Sequence, residues 1–232
     1  DSFLIETAMV PGKYQTDDYF LETPSTELKV NVAGTGSLQV YEYPGGYTKK
    51  DAGDARGKVR LAELEVAAKR ASGSSTVRGM AAGLKFTLSG HPRTDANAAY
   101  VLHGVSHAVS LGGYSNSFEA LPADTTFRPA RRTPRPRIPG TQTAVVVGKS
   151  GEEVWTDKFG RIKVQFHWDQ LGKKDENSSC WVRVAQGWAG KNWGAFFLPR
   201  VGQEVVVSFL EGDPDRPLVT GSVYNGEQQV PY

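Results

Sequence analysis

Residues 160–169, GRIKVQFHWD, set Ile162, Val164, Phe166 and Trp168 in alternation with Arg161, Lys163, Gln165 and His167. A period of two marks a strand with one buried and one wet face, so the four apolar side chains are predicted to form barrel core or to pack on a neighbour. The polar, largely basic row then faces solvent or a subunit. Similar runs flank it closely: TAVVVG (143–148) before it, then CWVRVA (180–185), GAFFLP (194–199), GQEVVVSF (202–209) and PLVTGSVY (217–224), joined by segments carrying Gly, Pro, Asp and Asn. Six short strands in about eighty residues, with no helical pattern, predict a small closed or sandwiched all-β domain.

The first half has a different texture. Short strand-like pieces, LKVNV (28–32) and LQVYEY (38–43), are divided by Gly and Pro. GKVRLAELEVAAKRA (57–71) is the one helical pattern, with Leu61, Leu64, Ala67, Ala68 and Ala71 near one face and Gly73 just beyond, where helices commonly stop. Strand-like runs return at 83–89 and 98–110. RPARRTPRPR (128–137) then combines five Arg with three Pro. Proline removes backbone donors and biases its neighbours toward extended conformations, so this segment is a linker or strap. The order of β-rich, helical and β-rich segments predicts an α+β or mainly β piece followed by the all-β domain.

Charge narrows the function classes. The 232 residues carry a net charge of +2. Counting along the sequence, 17 basic and 14 acidic residues fall in 1–142, against 10 and 11 in 143–232. Neither half has the excess of a dedicated nucleic-acid binder. Cys180 is the sole cysteine, which excludes an intrachain disulfide and suits a reducing compartment. No apolar run approaches membrane-spanning length and nothing near the first residues reads as a secretory signal.

Several clusters invite chemistry, and each has a plainer structural reading. EGDPDRP (211–217) crowds three carboxylates and an Arg into a turn, a grouping able to bind a hard cation or do acid–base work. Asp213 and Asp215 can equally cap the turn, stiffened by Pro214 and Pro217, and that reading is preferred. His103 and His107 have zinc-like spacing for a helix, yet their surroundings read as a strand. Cys180 reads as a small buried hydrophobe. Trp155, Trp168, Trp181, Trp188 and Trp193 crowd into one stretch. They can stack on bases or sugars, but packing between domains or subunits is the preferred reading, with WAGKNWG (188–194) as a loop placing two indoles at a junction.

VWTDKFGRIKVQFHWDQLGKKDENSSCWVRVAQGWAGKNWGAFFLPRVGQEVVVSFLEGDPDRPLVTGSVYNGE resembles the VgrG family, the spike proteins of the type VI secretion system. YEYPGGY (41–47), LSGHPR (88–93), YSNSFEALPADTTFRP (114–129) and RTPRPRIPGTQTAVVVG (132–148) resemble the same family. The resemblance implies a mainly β protein related to phage tail hubs and spikes. A partial hub-like α+β domain (1–130) is followed by the Pro/Arg-rich linker (131–142) and an OB-fold barrel (143–224). Residues 225–232 then begin the connection to a β-helical needle, so the sequence reads as a family member truncated at both ends.

The same resemblance implies a homotrimer on a hexameric Hcp tube, carrying a tip protein or effector on the needle. It implies no catalysis and no cofactor. Localisation follows: the bacterial cytoplasm before firing, then delivery through the type VI apparatus without a signal peptide. Trp188 and Trp193, with Arg128, Arg131 and Arg132 of the strap, are the expected subunit contacts. The alternative reading is an OB-fold carbohydrate- or nucleic-acid-binding module.

Overall fold

The computed structural model describes residues 2–232, which separate into two units, Asp1–Arg132 and Thr133–Tyr232. The first unit holds two sheets. Strands β1 (Ser2–Thr7), β2 (Lys13–Thr16), β3 (Val30–Ala33) and β4 (Gln39–Glu42) precede helix α1 (Lys50–Glu65), and β5 (Lys69–Ser75), β6 (Lys85–Thr87), β7 (Ala99–Ser110) and β8 (Gly113–Pro122) follow it. β1-β5-β8-β7-β6 form an antiparallel sheet, whose apolar face gathers Ala71, Tyr100, Leu102, Phe118 and Ala120 with Phe3 and Phe86. β3-β2-β4 form a second, mixed sheet.

Helix α1 begins at Lys50 and ends at Glu65, earlier at both ends than its sequence pattern predicts. Its buried positions are Gly53, Gly57 and Leu61, one face at four-residue spacing. A Cβ on Gly53 would stand 2.6 Å from the Tyr47 ring and 2.9 Å from Val30; one on Gly57 would stand 2.8 Å from Val32. Two glycines, poor helix formers, thus let the helix lie close on β3. The alanines taken for its final turns do otherwise. Val66–Ala68 form one 3-10 turn, and Ala71 sits in β5, paired with Ile5 and Ala120. Gly73 is not a helix stop; it lies mid-strand, where a Cβ would meet the Ser2 carbonyl at 2.3 Å. Sheet pairing overrides helix propensity here.

In the second unit, β9 (Gln142–Val147), β10 (Lys163–Phe166), β11 (Arg183–Val184), β14 (Glu204–Phe209) and β15 (Pro217–Val223) run in the order β10-β9-β14-β15-β11. All pairings are antiparallel except β11 with β15. The two edges of this sheet meet: Ile162 and Val182, just before β10 and β11, form an antiparallel bridge. The sheet is therefore a five-stranded barrel of OB type. Ala144, Val146, Ile162, Val164, Val182, Val205, Val207 and Val219 fill it, none more than 1% exposed. Small β-branched residues suit so narrow an interior.

The run at 194–199 does not join the barrel. β12 (Trp188–Gly190) and β13 (Trp193–Ala195) make a separate hairpin, so WAGKNWG is a hairpin rather than a loop, and the barrel has five strands instead of six. The alternation across 160–169 also ends early. Ile162 and Val164 are fully buried and Phe166 is half-buried, but the strand stops at Phe166 and Trp168 is 63% exposed. Trp168 is not core. It stacks outside on Phe166 at 5.3 Å and donates its indole N–H to Gln142 Oε1 at 2.9 Å.

Candidate functional site

The hairpin carries the most prominent unpaired aromatic surface of the second unit. Lys191 and Asn192 form its two-residue turn, with Asn192 at φ 63°, a left-handed conformation that asparagine tolerates. Trp193 lies over Gly190, where any Cβ would stand 2.3 Å from the indole, and its ring meets Trp188 edge-on at 5.3 Å. Both indoles remain well exposed, at 65% for Trp188 and 59% for Trp193. Phe196 and Phe197 follow, also exposed.

These rings are held rather than loose. The Phe196 ring covers Gly160, whose φ is 68°. The Gln186 side-chain amide accepts from Phe197 N–H at 2.8 Å and donates to its carbonyl at 3.0 Å, fixing the backbone that presents Phe197. A preorganised aromatic surface of this kind suits docking, because little side-chain and loop entropy remains to be lost.

Three members of the polar row beside the barrel core, Arg161, Lys163 and Gln165, are tied down, whereas His167 is exposed and meets the Thr143 hydroxyl at 3.0 Å. The Arg161 guanidinium pairs with Asp157 at 2.6 Å, both side chains being largely buried. Asp157 Oδ1 also accepts the backbone N–H groups of Phe159 and Arg161, each at 3.0 Å. Burial would raise the Asp157 pKa, but these donors and the Arg161 charge outweigh it and hold the carboxyl below its ordinary value.

Lys163 donates to the Ser179 carbonyl at 2.7 Å and lies over the Trp181 ring. Gln165, assigned to the wet row, is only 8% exposed. Its amide group donates to the Asp169 and Gly172 carbonyls and accepts from Lys174 N–H and the Ser178 hydroxyl. One buried side chain thereby organises the loop after β10, and its bonds satisfy the amide fully. Alternation alone cannot reveal this, since a glutamine reads as polar whether it meets water or a loop.

The strap arginines have different fates. Arg128 is exposed, its guanidinium 3.5 Å from the Phe127 carbonyl, and Arg132 is exposed. Arg131 is engaged within its own chain, although its side chain stays half-exposed. Its Nη2 donates to both Glu42 oxygens at 2.9 and 3.0 Å, and its backbone N–H donates to Glu63 Oε1 at 2.7 Å. Arg60 pairs with Glu63 at 2.5 Å, and the Tyr14 hydroxyl donates to Glu42 at 2.5 Å. Burial, then the Glu42 hydrogen bond, push the Tyr14 pKa up to about 12. For Glu42 and Glu63, burial acts upward, but the Tyr14 hydroxyl on Glu42 and the arginines around both carboxyls hold them below their ordinary values.

The remaining clusters resolve into local structure. In the 211–217 turn, Asp213 Oδ1 accepts from Asp215 N–H at 2.9 Å, and Leu210 and Arg216 close the turn through their backbones. His103 packs on Phe127, and His107 Nδ1 lies 2.5 Å from the Tyr114 hydroxyl. Cys180 is exposed rather than buried, because β11 begins only at Arg183. No helix is long and apolar enough to cross a membrane among the described residues.

Two family models match consecutive parts of the chain. The phage tail baseplate hub (GPD) model covers residues 1–113, and the type VI secretion system/phage-baseplate injector OB domain model covers 142–224. Over 96% of its length, the chain is 45% identical to type VI secretion system spike protein VgrG1a of Pseudomonas aeruginosa. The chain belongs to the VgrG spike family.

VgrG1c of the same organism is also 45% identical over 96% of the chain. The chain spans 37% of VgrG1a and 33% of VgrG1c, roughly a third of these relatives. A solved structure agrees in fold. The E. coli c3393 protein, a type VI component described as structurally similar to the T4 phage tail proteins gp27 and gp5, superimposes with a TM-score of 0.53 at 22% identity. The match covers 90% of this chain and 56% of that one.

Proposed function

We propose that this chain is the hub-and-barrel part of a type VI secretion spike, acting as a load-bearing structural module. The carrying observation is the union in one chain of a baseplate-hub match and an injector OB barrel, in that order. The domain arrangement we adopt is a hub-like part to about 130, a linker over 131–142, a barrel over 143–224 and an onward connection from 225. Three copies assemble about an axis, mounted on a hexameric Hcp tube, and the complete spike carries effectors across target membranes. Before firing the protein resides in the bacterial cytoplasm.

The exposed pair Trp188 and Trp193, continued by Phe196 and Phe197, supports the trimer reading as one half of a head-to-tail contact. A cyclic trimer uses heterologous contacts, so this patch meets a different patch on the next copy. Arg128 and Arg132 supply charge for that second patch. The module is non-catalytic in this reading, since the acidic turn uses Asp213 as its own cap.

Co-sedimentation of the chain with assembled Hcp rings tests the mounting. Binding that saturates at three chains per ring supports the reading. Absence of binding at millimolar chain concentration, or release of sugar from purified peptidoglycan by the chain itself, overturns it.

A further inference from the structure

We infer that Glu42 and Glu63 form a latch that holds the start of the Pro/Arg strap on the first unit by gripping Arg131. Three segments distant in sequence converge there. Glu42 ends β4, Glu63 lies in the last turn of α1, and Arg131 opens the strap. Arg131 is held twice, by side chain and by backbone. Its guanidinium meets both Glu42 oxygens, and its N–H donates to Glu63. Arg60 on α1 sits between the acids, 3.7 Å from Glu42 and 2.5 Å from Glu63. Tyr14 of β2 supports Glu42 from the other side.

The site is built rather than incidental. The Glu63 side chain is only 9% exposed, that of Arg60 24% and that of Glu42 34%, whereas Arg131 is half-exposed at 51%. The acids are thus part of the first unit's body and the strap residue is the piece laid onto them. The Arg131 guanidinium spans both acids, with Nη2 on Glu42 and Nε 3.9 Å from Glu63, a reach that a single lysine ammonium lacks. At its other end the strap is held by the second unit, where Ile138 N–H donates to the Gly212 carbonyl at 2.8 Å. The latch therefore restricts the free tether to residues 132–137, whose Pro134 and Pro136 stiffen it further. With the latch open, the tether lengthens back toward Phe127, whose ring packs on His103.

Limited trypsinolysis reads the latch directly. Trypsin must take the Arg131 side chain into its own pocket to cut Arg131–Arg132, which requires the grip to open, so cleavage there follows the open population. The Arg137–Ile138 bond, held by the other unit, is an internal reference; Arg128–Pro129 and Arg135–Pro136 resist the enzyme, and Arg132–Thr133, which uses the exposed Arg132 side chain, is scored separately. The variant is E42Q/E63Q, which keeps shape and removes both charges. Cleavage at Arg131–Arg132, normalised to Arg137–Ile138, is expected to rise at least about tenfold.

Arg131→Lys keeps charge and the cleavage site but loses the fork, and should give an intermediate rise. Equal normalised rates in the wild-type chain and E42Q/E63Q overturn the latch. So does cleavage spread through residues 58–85 in E42Q/E63Q, because the acids would then be holding the fold rather than the strap.

Discussion

Ile162 and Val182 exchange both backbone hydrogen bonds, Ile162 N–H to the Val182 carbonyl at 2.9 Å and the reverse at 2.8 Å. Both side chains are wholly buried. This single bridge joins the two edges of the five-stranded sheet, and closure is what leaves a small barrel without an open edge.

Truncating Ile162 to Ala should cost about 2–5 kcal/mol, the range for large-to-small changes in a close-packed core. Phe166→Ala should cost less, about 1–2 kcal/mol, because that ring is half-buried and leans outward on Trp168 and Phe209. Urea denaturation followed by tryptophan fluorescence measures both, since all five tryptophans lie in the second unit. A Phe166 effect exceeding that of Ile162 would contradict the assignment of the barrel interior.

Gly53→Ala should destabilise the first unit although alanine is the better helix former by about 1 kcal/mol. The added methyl would strike the Tyr47 ring, which is anchored by a 2.8 Å hydrogen bond from its hydroxyl to the Leu28 carbonyl and cannot swing aside. Overpacking of this kind costs about 1–3 kcal/mol. Hydrogen exchange in α1 and β3 reports the change, and slower exchange in the variant would refute the packing argument.

The pattern of residues made the barrel legible because its chemistry is local. Val164 advertises a buried strand by alternating with the polar Lys163 and Gln165, and the unbroken run Ala144–Val147 advertises another by its apolar, β-branched residues. Trp168 falls outside the barrel core, and nothing in the alternation marks the strand's end at Phe166. The pattern starts the helix at Gly57 rather than Lys50 because Gly53 looks like a breaker until the sheet beneath it is known. Arg131 and Gln165 were unreadable for another reason. Their partners Glu42, Glu63 and Ser178 are joined to them only by the fold, and charge or polarity in a sequence carries no address.

Stability of the second unit should fall with acid through Asp157. Its folded pKa lies below the unfolded value near 3.9, so the contribution is complete above that value and is lost as pH falls through the folded pKa. Urea midpoints from pH 7 to pH 3 should therefore fall more steeply for the wild-type chain than for Asp157→Asn, which is less stable at neutral pH but lacks this titration. Parallel pH profiles would show that the Arg161 pair adds nothing.

The trimeric spike reading is tested most directly by sedimentation equilibrium of the intact chain from micromolar to millimolar concentration, with W188S/W193S alongside. The account predicts a reversible species of three times the chain mass that W188S/W193S fails to form while its barrel remains folded. A wild-type chain that stays monomeric throughout, or a trimer equally populated in both, would contradict it.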